Sequence, residues 1–105
     1  MSELELLKRI VEIKSTGANA ALATVIRTKG STPRKVGAKM IIYADGTIAG
    51  TIGGGCGEGE VIEQAIQVIA EKKCTQHTVD LTAGLFYEDG GICGGIQVVF
   101  IEPIH

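Results

Sequence analysis

Near the N-terminus the apolar positions Leu4, Leu7, Ile10 and Val11 recur at helical spacing, with Lys14 continuing the row. Ser2 followed by Glu5 has the form of a capping box and Gly17 supplies a stop, so the pattern predicts a helix ending near Gly17. Its stripe of Leu4, Leu7, Ile10 and Val11 is expected to lie on a sheet or on another helix, with Glu3, Lys8, Arg9 and Glu12 pointing elsewhere. A helix that binds a partner is the alternative. The run Ala20 to Thr28 ends in β-branched residues and predicts a strand. Lys39 to Ala44 and Thr47 to Ile52 flank Asp45-Gly46, a strong hairpin signal. Met40, Ile42 and Ala44 alternate with Ile41 and Tyr43, so the first hairpin strand is apolar on both faces and is expected to be covered on both sides.

A second helix is predicted from about Glu58 to Lys73, with Val61, Ile62, Ala65, Ile66, Val68 and Ile69 on its buried side. Glu58, Glu60 and Glu63 near its start and Lys72 and Lys73 near its end agree with the helix dipole. Gln76 to Leu81 reads as a short strand and Ile96 to Ile101 as a stronger one, separated by a long loop from Thr82 to Gly95. The expectation is a single domain over residues 1–105 of α+β class, a mainly antiparallel or mixed sheet of about five strands with two helices packed on it. Strand order does not follow from the pattern.

The 45% hydrophobic and 21% charged shares are those of a globular domain able to bury a core of its own. Aromatic residues make up only 4% and Trp is absent, so the core must be built from Ile, Val, Leu and Ala. Stacking platforms for nucleic acid lack material, and a formal charge of -2 also argues against a general nucleic-acid binder. The acidic start Met1-Ser2-Glu3-Leu4-Glu5 does not resemble a secretory leader, and no apolar run approaches the ~20 residues that span a bilayer. With three cysteines that cannot all pair, the expected setting is the cytoplasm, with thiols reduced and no membrane partner.

Charge is unevenly spread. Arg27, Lys29, Arg34, Lys35 and Lys39 are half of the 10 basic residues and have no acid between them. Such crowding fits either a solvated basic loop or a clamp for an anion, with Arg34 positioned by Pro33.

Two glycine-rich turns each set one cysteine on a nearly bare backbone: Gly53-Gly54-Gly55-Cys56-Gly57 and Gly90-Gly91-Ile92-Cys93-Gly94-Gly95. Glycine at this density serves positive φ or close approach to the main chain. The first turn leaves a strand and opens a helix, the arrangement that holds phosphate on backbone N–H groups, yet neither the dinucleotide fingerprint nor the Walker pattern is present. Glu58 and Glu60 would repel an anion placed directly on that terminus. A thiolate at Cys56 remains, with its pKa lowered at the helix start. Zinc is disfavoured, because the cysteines stand singly and His77 and His105 lie at no ligand-like spacing; no metal ligands are assigned. Nucleophilic catalysis by Cys56 would need His77 as base. Cys74, beside Lys72 and Lys73, reads as a partly buried structural thiol. Cys56 and Cys93 are expected to converge on one cleft.

Gly30-Ser31-Thr32-Pro33-Arg34, Gly37-Ala38-Lys39-Met40, Asp45-Gly46-Thr47, Gly54-Gly55-Cys56-Gly57-Glu58, Cys93-Gly94-Gly95 and Glu102-Pro103 together resemble, in order and over nearly the whole chain, the N-terminal domain of the XdhC/CoxI family. These are accessory proteins of xanthine dehydrogenase and related molybdenum hydroxylases. The resemblance implies a chaperone that binds the molybdenum cofactor (molybdopterin) transiently, protects it during sulfuration with a cysteine desulfurase, and delivers it to the apo-hydroxylase. Carried over, the cofactor-binding positions are Arg34, Gly54, Gly55, Cys56, Glu58, Cys93, Gly94 and Gly95, with no catalytic residue. Gly57 stands where the family usually has a larger apolar residue, which implies a looser cysteine loop. Longer members continue into a Rossmann-like second domain, so a separate protein carrying that domain joins the implied partners, and a homodimer stays open. The reading from a different class is a thiol-dependent enzyme or redox protein using Cys56 and Cys93.

Overall fold

The computed structural model describes residues 1–32, 34–53, 57–80 and 94–105. Helix α1 spans Glu3–Thr16, strand β1 Ala20–Lys29, β2 Lys39–Tyr43, β3 Ile48–Gly50, helix α2 Glu58–Glu71, β4 Thr75–Asp80 and β5 Ile96–Ile104. The five strands form one sheet in the order β3-β2-β1-β5-β4, and every neighbouring pair is antiparallel. The α+β expectation holds, and the sheet is antiparallel rather than mixed.

Local chemistry accounts for the boundaries. The Ser2 hydroxyl accepts the Glu5 N–H at 3.2 Å to start α1, and Gly17, at φ 74, ends it by returning its N–H to Ile13. The hairpin turns at Asp45-Gly46, where the Gly46 N–H donates to the Tyr43 carbonyl at 2.9 Å and the Tyr43 N–H to the Thr47 carbonyl at 2.8 Å. Pro103 sits in β5 past Ile101, the last residue paired with β4, where that side of the strand is an edge and a proline is tolerated.

The sheet is covered on both faces. On one, Ala21, Ala23, Val25, Met40, Val99 and Ile101 pack under Val61, Ala65 and Val68 of α2. On the other, Ala20, Ile41, Ala49 and Ile104 meet Leu6 and Ile13 of α1. Met40, Ile41 and Ile42 are all fully buried, as two-sided coverage of β2 requires.

Three sequence expectations fail here. Helix α1 buries Leu6 and Ile13, with Ile10 packed beside them, while Leu4 (62% exposed), Leu7 and Val11 (66%) face solvent. The apolar side chains of α1 cover more than one face, and contact with Ile41 and Ile104 selected the narrower row. In α2, Ile66 is exposed. Cys74 is exposed rather than partly buried, because it falls between the end of α2 and the start of β4.

Candidate functional site

Strand β1 runs regularly to Val25, then a bulge at Ile26 shifts the register so that Arg27 opposes Val98, Thr28 opposes Gln97 and Lys29 opposes Ile96. Bulges re-aim side chains and recur beside functional sites. Here the bulge turns the strand from core into the basic segment: Val25 is fully buried, whereas Arg27 and Lys29 are exposed.

That segment is laced to the second glycine turn. The Gly94 N–H donates to the Ser31 carbonyl at 3.2 Å. A Cβ on Gly95 would run into the carbonyl oxygens of Lys29 and Ser31 and into Thr32 Cγ2, so only a residue without a side chain allows this approach.

The first turn is held at both ends. The Thr51 hydroxyl donates to the Glu58 carboxylate at 2.5 Å and accepts the Gly53 N–H at 3.1 Å. Glu58, at the first position of α2, is thereby turned back across the turn, and Glu60 lies 3.3 Å from His77 Nε2 on β4. Gly57 caps α2 at φ 76, and a Cβ there would overlap Val79 Cγ1. Position 57 itself is thus closely packed, while the cysteine loop expected to be looser lies outside the described residues.

Gln97 joins these pieces. It is fully buried in β5, between Thr28 of β1 and Val79 of β4. Its Nε2 donates to the carbonyl of Ile52, just before the first glycine turn, at 3.3 Å, and to that of Arg34, in the basic segment, at 3.5 Å. The Arg34 carbonyl also accepts from the Thr32 hydroxyl at 3.0 Å. Two carbonyls facing one side of the amide set its orientation, and among the described residues Oε1 has no hydrogen-bond partner. One buried amide that sequence reasoning missed therefore ties the basic segment to Ile52, the residue before the first glycine turn, while the second turn joins the basic segment through Gly94 and Ser31. The available signal was a polar residue at an inward position, in phase with Val99 and Ile101.

Arg34 lines a cleft of about 480 Å³ on the α1 side, together with Met1, Glu3, Leu6, Lys39 and Thr51. Lys39 Nζ donates to the Gly37 carbonyl at 3.1 Å. Glu3 lines the same cleft, an acidic residue where the sequence has none between Arg27 and Lys39.

Of the sequence-predicted site residues, Arg34, Glu58, Gly94 and Gly95 fall within this arrangement. Gly54, Gly55, Cys56 and Cys93 lie outside the described residues, as do Pro33 and the expected convergence of the two cysteines. Among the described residues no group of three or more His, Cys, Asp or Glu could hold a metal ion, and no helix is long and apolar enough to cross a membrane.

The fold and the junction define a two-faced antiparallel-sheet module in which glycine-rich turns gather around a basic segment. Residues 14–80 match the XdhC and CoxI family, and the chain belongs to it. It is 40% identical over 82 residues to the uncharacterized protein YqeB of Escherichia coli, covering 78% of this chain and 15% of that protein. It is 31% identical over 64 residues to the molybdenum cofactor insertion chaperone PaoD of Escherichia coli, covering 61% of this chain and 20% of PaoD. A crystal structure of a xanthine dehydrogenase from Bacillus halodurans superposes with a TM-score of 0.84 at 34% identity, over 100% of this chain and 31% of that one. The chain thus spans less than a third of the length of each of these proteins.

Proposed function

We propose that this chain is a molybdenum-cofactor-binding maturation factor, which protects the cofactor, supports its sulfuration and helps insert it into a xanthine dehydrogenase-type molybdenum hydroxylase. The observation that carries this reading is the tie of the basic segment to Ile52 through Gln97 and to Gly94 through Ser31, in a member of the XdhC and CoxI family. The role of PaoD, molybdenum cofactor insertion, supports it.

One observation fits such a group: Gln97 Oε1 is a buried acceptor without a donor among the described residues. Arg34 would grip the anionic tail, since a guanidinium fork takes phosphate in two places. Gly54, Gly55 and Gly95 would offer backbone N–H groups to a flat polar ring, Gly94 would hold the second turn to Ser31, and Cys56 with Cys93 would offer soft sulfur. Glu58 would act through Thr51, holding the ends of the first turn. When bound, the cofactor supplies the molybdenum centre that the client hydroxylase uses. The partners on this reading are the apo-hydroxylase, a cysteine desulfurase and a protein carrying the Rossmann-like domain of longer relatives, in the cytoplasm.

A thiol-dependent enzyme or redox protein using Cys56 and Cys93 is the competing reading. It needs a base, for which His77, 3.3 Å from Glu60, is the candidate. The deciding experiment is purification from a host that makes the cofactor, followed by oxidation and pterin fluorescence. Bound pterin, and activation of an apo-hydroxylase by the loaded protein, are expected. Protein free of pterin that activates nothing overturns the reading.

A further inference from the structure

We infer that Gln97 is the ring-recognition residue of this site, its Oε1 accepting the amino group of a 2-amino-4-oxopyrimidine edge. The inference rests on the proposed function for its location and on the amide's own bonding for its chemistry. Both Nε2 hydrogens are taken by the Ile52 and Arg34 carbonyls, so the side chain has no donor left to offer. Oε1 has two free lone pairs, is fully buried and meets no N–H among the described residues. An acceptor stripped of water and left unpaired is unfavourable unless something supplies the donor. An apolar residue would fill an inward position beside Val99 and Ile101 without that cost.

The missing partner is therefore a hydrogen-bond donor, N–H or O–H, presented beside the basic segment that Gln97 itself touches at Arg34. A 2-amino-4-oxopyrimidine with an anionic substituent meets that description. Two groups share this edge: a pterin ring and a guanine base of a nucleotide tail. A group lacking the 2-amino donor leaves Oε1 unpaired, and a 2-oxo group in its place adds repulsion between two acceptors.

The test is the affinity of the full chain for two ligand pairs that differ at this position: 6-carboxypterin against 6-carboxylumazine, and guanosine against inosine monophosphate. The expected result is at least tenfold preference for the amino member of one pair, which says whether pterin or guanine is read. Gln97→Met should abolish that preference. Wild-type protein with no preference in either pair overturns the inference, whatever the variants do. If such protein still binds the intact molybdenum cofactor, the proposed function stands and only the role of Gln97 falls. Preference unchanged in a folded Gln97→Met protein also overturns it.

Discussion

Thr51 and Glu58 tie together the two ends of the first glycine-cysteine turn, with the Thr51 hydroxyl 2.5 Å from the Glu58 carboxylate and also accepting the Gly53 N–H. Cys56 is carried on the chain between these anchors. If its sulfur holds or shields the metal, Cys56→Ser should lose bound molybdenum while the fold survives, because a hydroxyl is a much harder ligand of similar size. Metal content and activation of an apo-hydroxylase are the readouts. Equal values for mutant and wild type would leave the turn as a structural device with an incidental thiol.

Arg34→Ala should weaken binding of the cofactor and make it less sensitive to salt, since Arg34 lines the cleft with Lys39 and its guanidinium is proposed to grip the anionic tail. Lys35→Ala should have a smaller effect, because an ammonium lacks the planar fork. Titrations at several ionic strengths check both. An unchanged affinity and salt slope for Arg34→Ala would return the segment to a solvated loop.

Gly57→Ala should be destabilising by at least about 1–2 kcal/mol from the left-handed backbone alone, with overlap on Val79 added to it. Shortening Val79 to Ala in that background removes the overlap. A double-mutant cycle in urea should then show favourable coupling of roughly 0.5–3 kcal/mol. Strict additivity would mean that Val79 is not what excludes a side chain at position 57.

Ile13→Ala should cost about 2–4 kcal/mol, as a buried aliphatic truncation facing Ile41 and Ile104 does. Val11→Ala, at 66% exposure two residues earlier, should stay within about 0.5 kcal/mol. Urea midpoints distinguish the two, and the reverse order would show that the other stripe of α1 is the one packed on the sheet.

Asp45 accepts the Thr47 hydroxyl at 2.7 Å and its N–H at 3.0 Å, and these bonds hold its carboxyl below the ordinary aspartate range. A carboxylate whose folded pKa is depressed contributes stability that is fully present above its unfolded value, near 4, and is lost as pH falls through the folded value. Asp45→Asn should therefore flatten the acid limb of the stability curve and leave the difference from wild type largest at neutral pH. Parallel curves for the two proteins between pH 6 and pH 2 would remove Asp45 from the hairpin's acid sensitivity.

Much of this protein was legible along the chain. The capping box at Ser2, the stop at Gly17, the Asp45-Gly46 hairpin and the two-sided burial of β2 follow from short-range rules, because caps, turns and alternation involve residues close in sequence. The family was legible too, since ordered glycine and cysteine motifs survive without knowledge of their packing. Which face of α1 is buried was not, because several of its faces carry apolar side chains and only contact with Ile41 and Ile104 chooses between them. Strand order was likewise a tertiary decision: β5 enters between β1 and β4 from the far end of the chain, and in doing so brings Gln97 to within hydrogen-bonding distance of Arg34, 63 positions away, and of Ile52, 45 positions away. Local periodicity has no term for a pairing across that separation, so the sequence announced the segments of the site while the long-range sheet register alone decided where they meet.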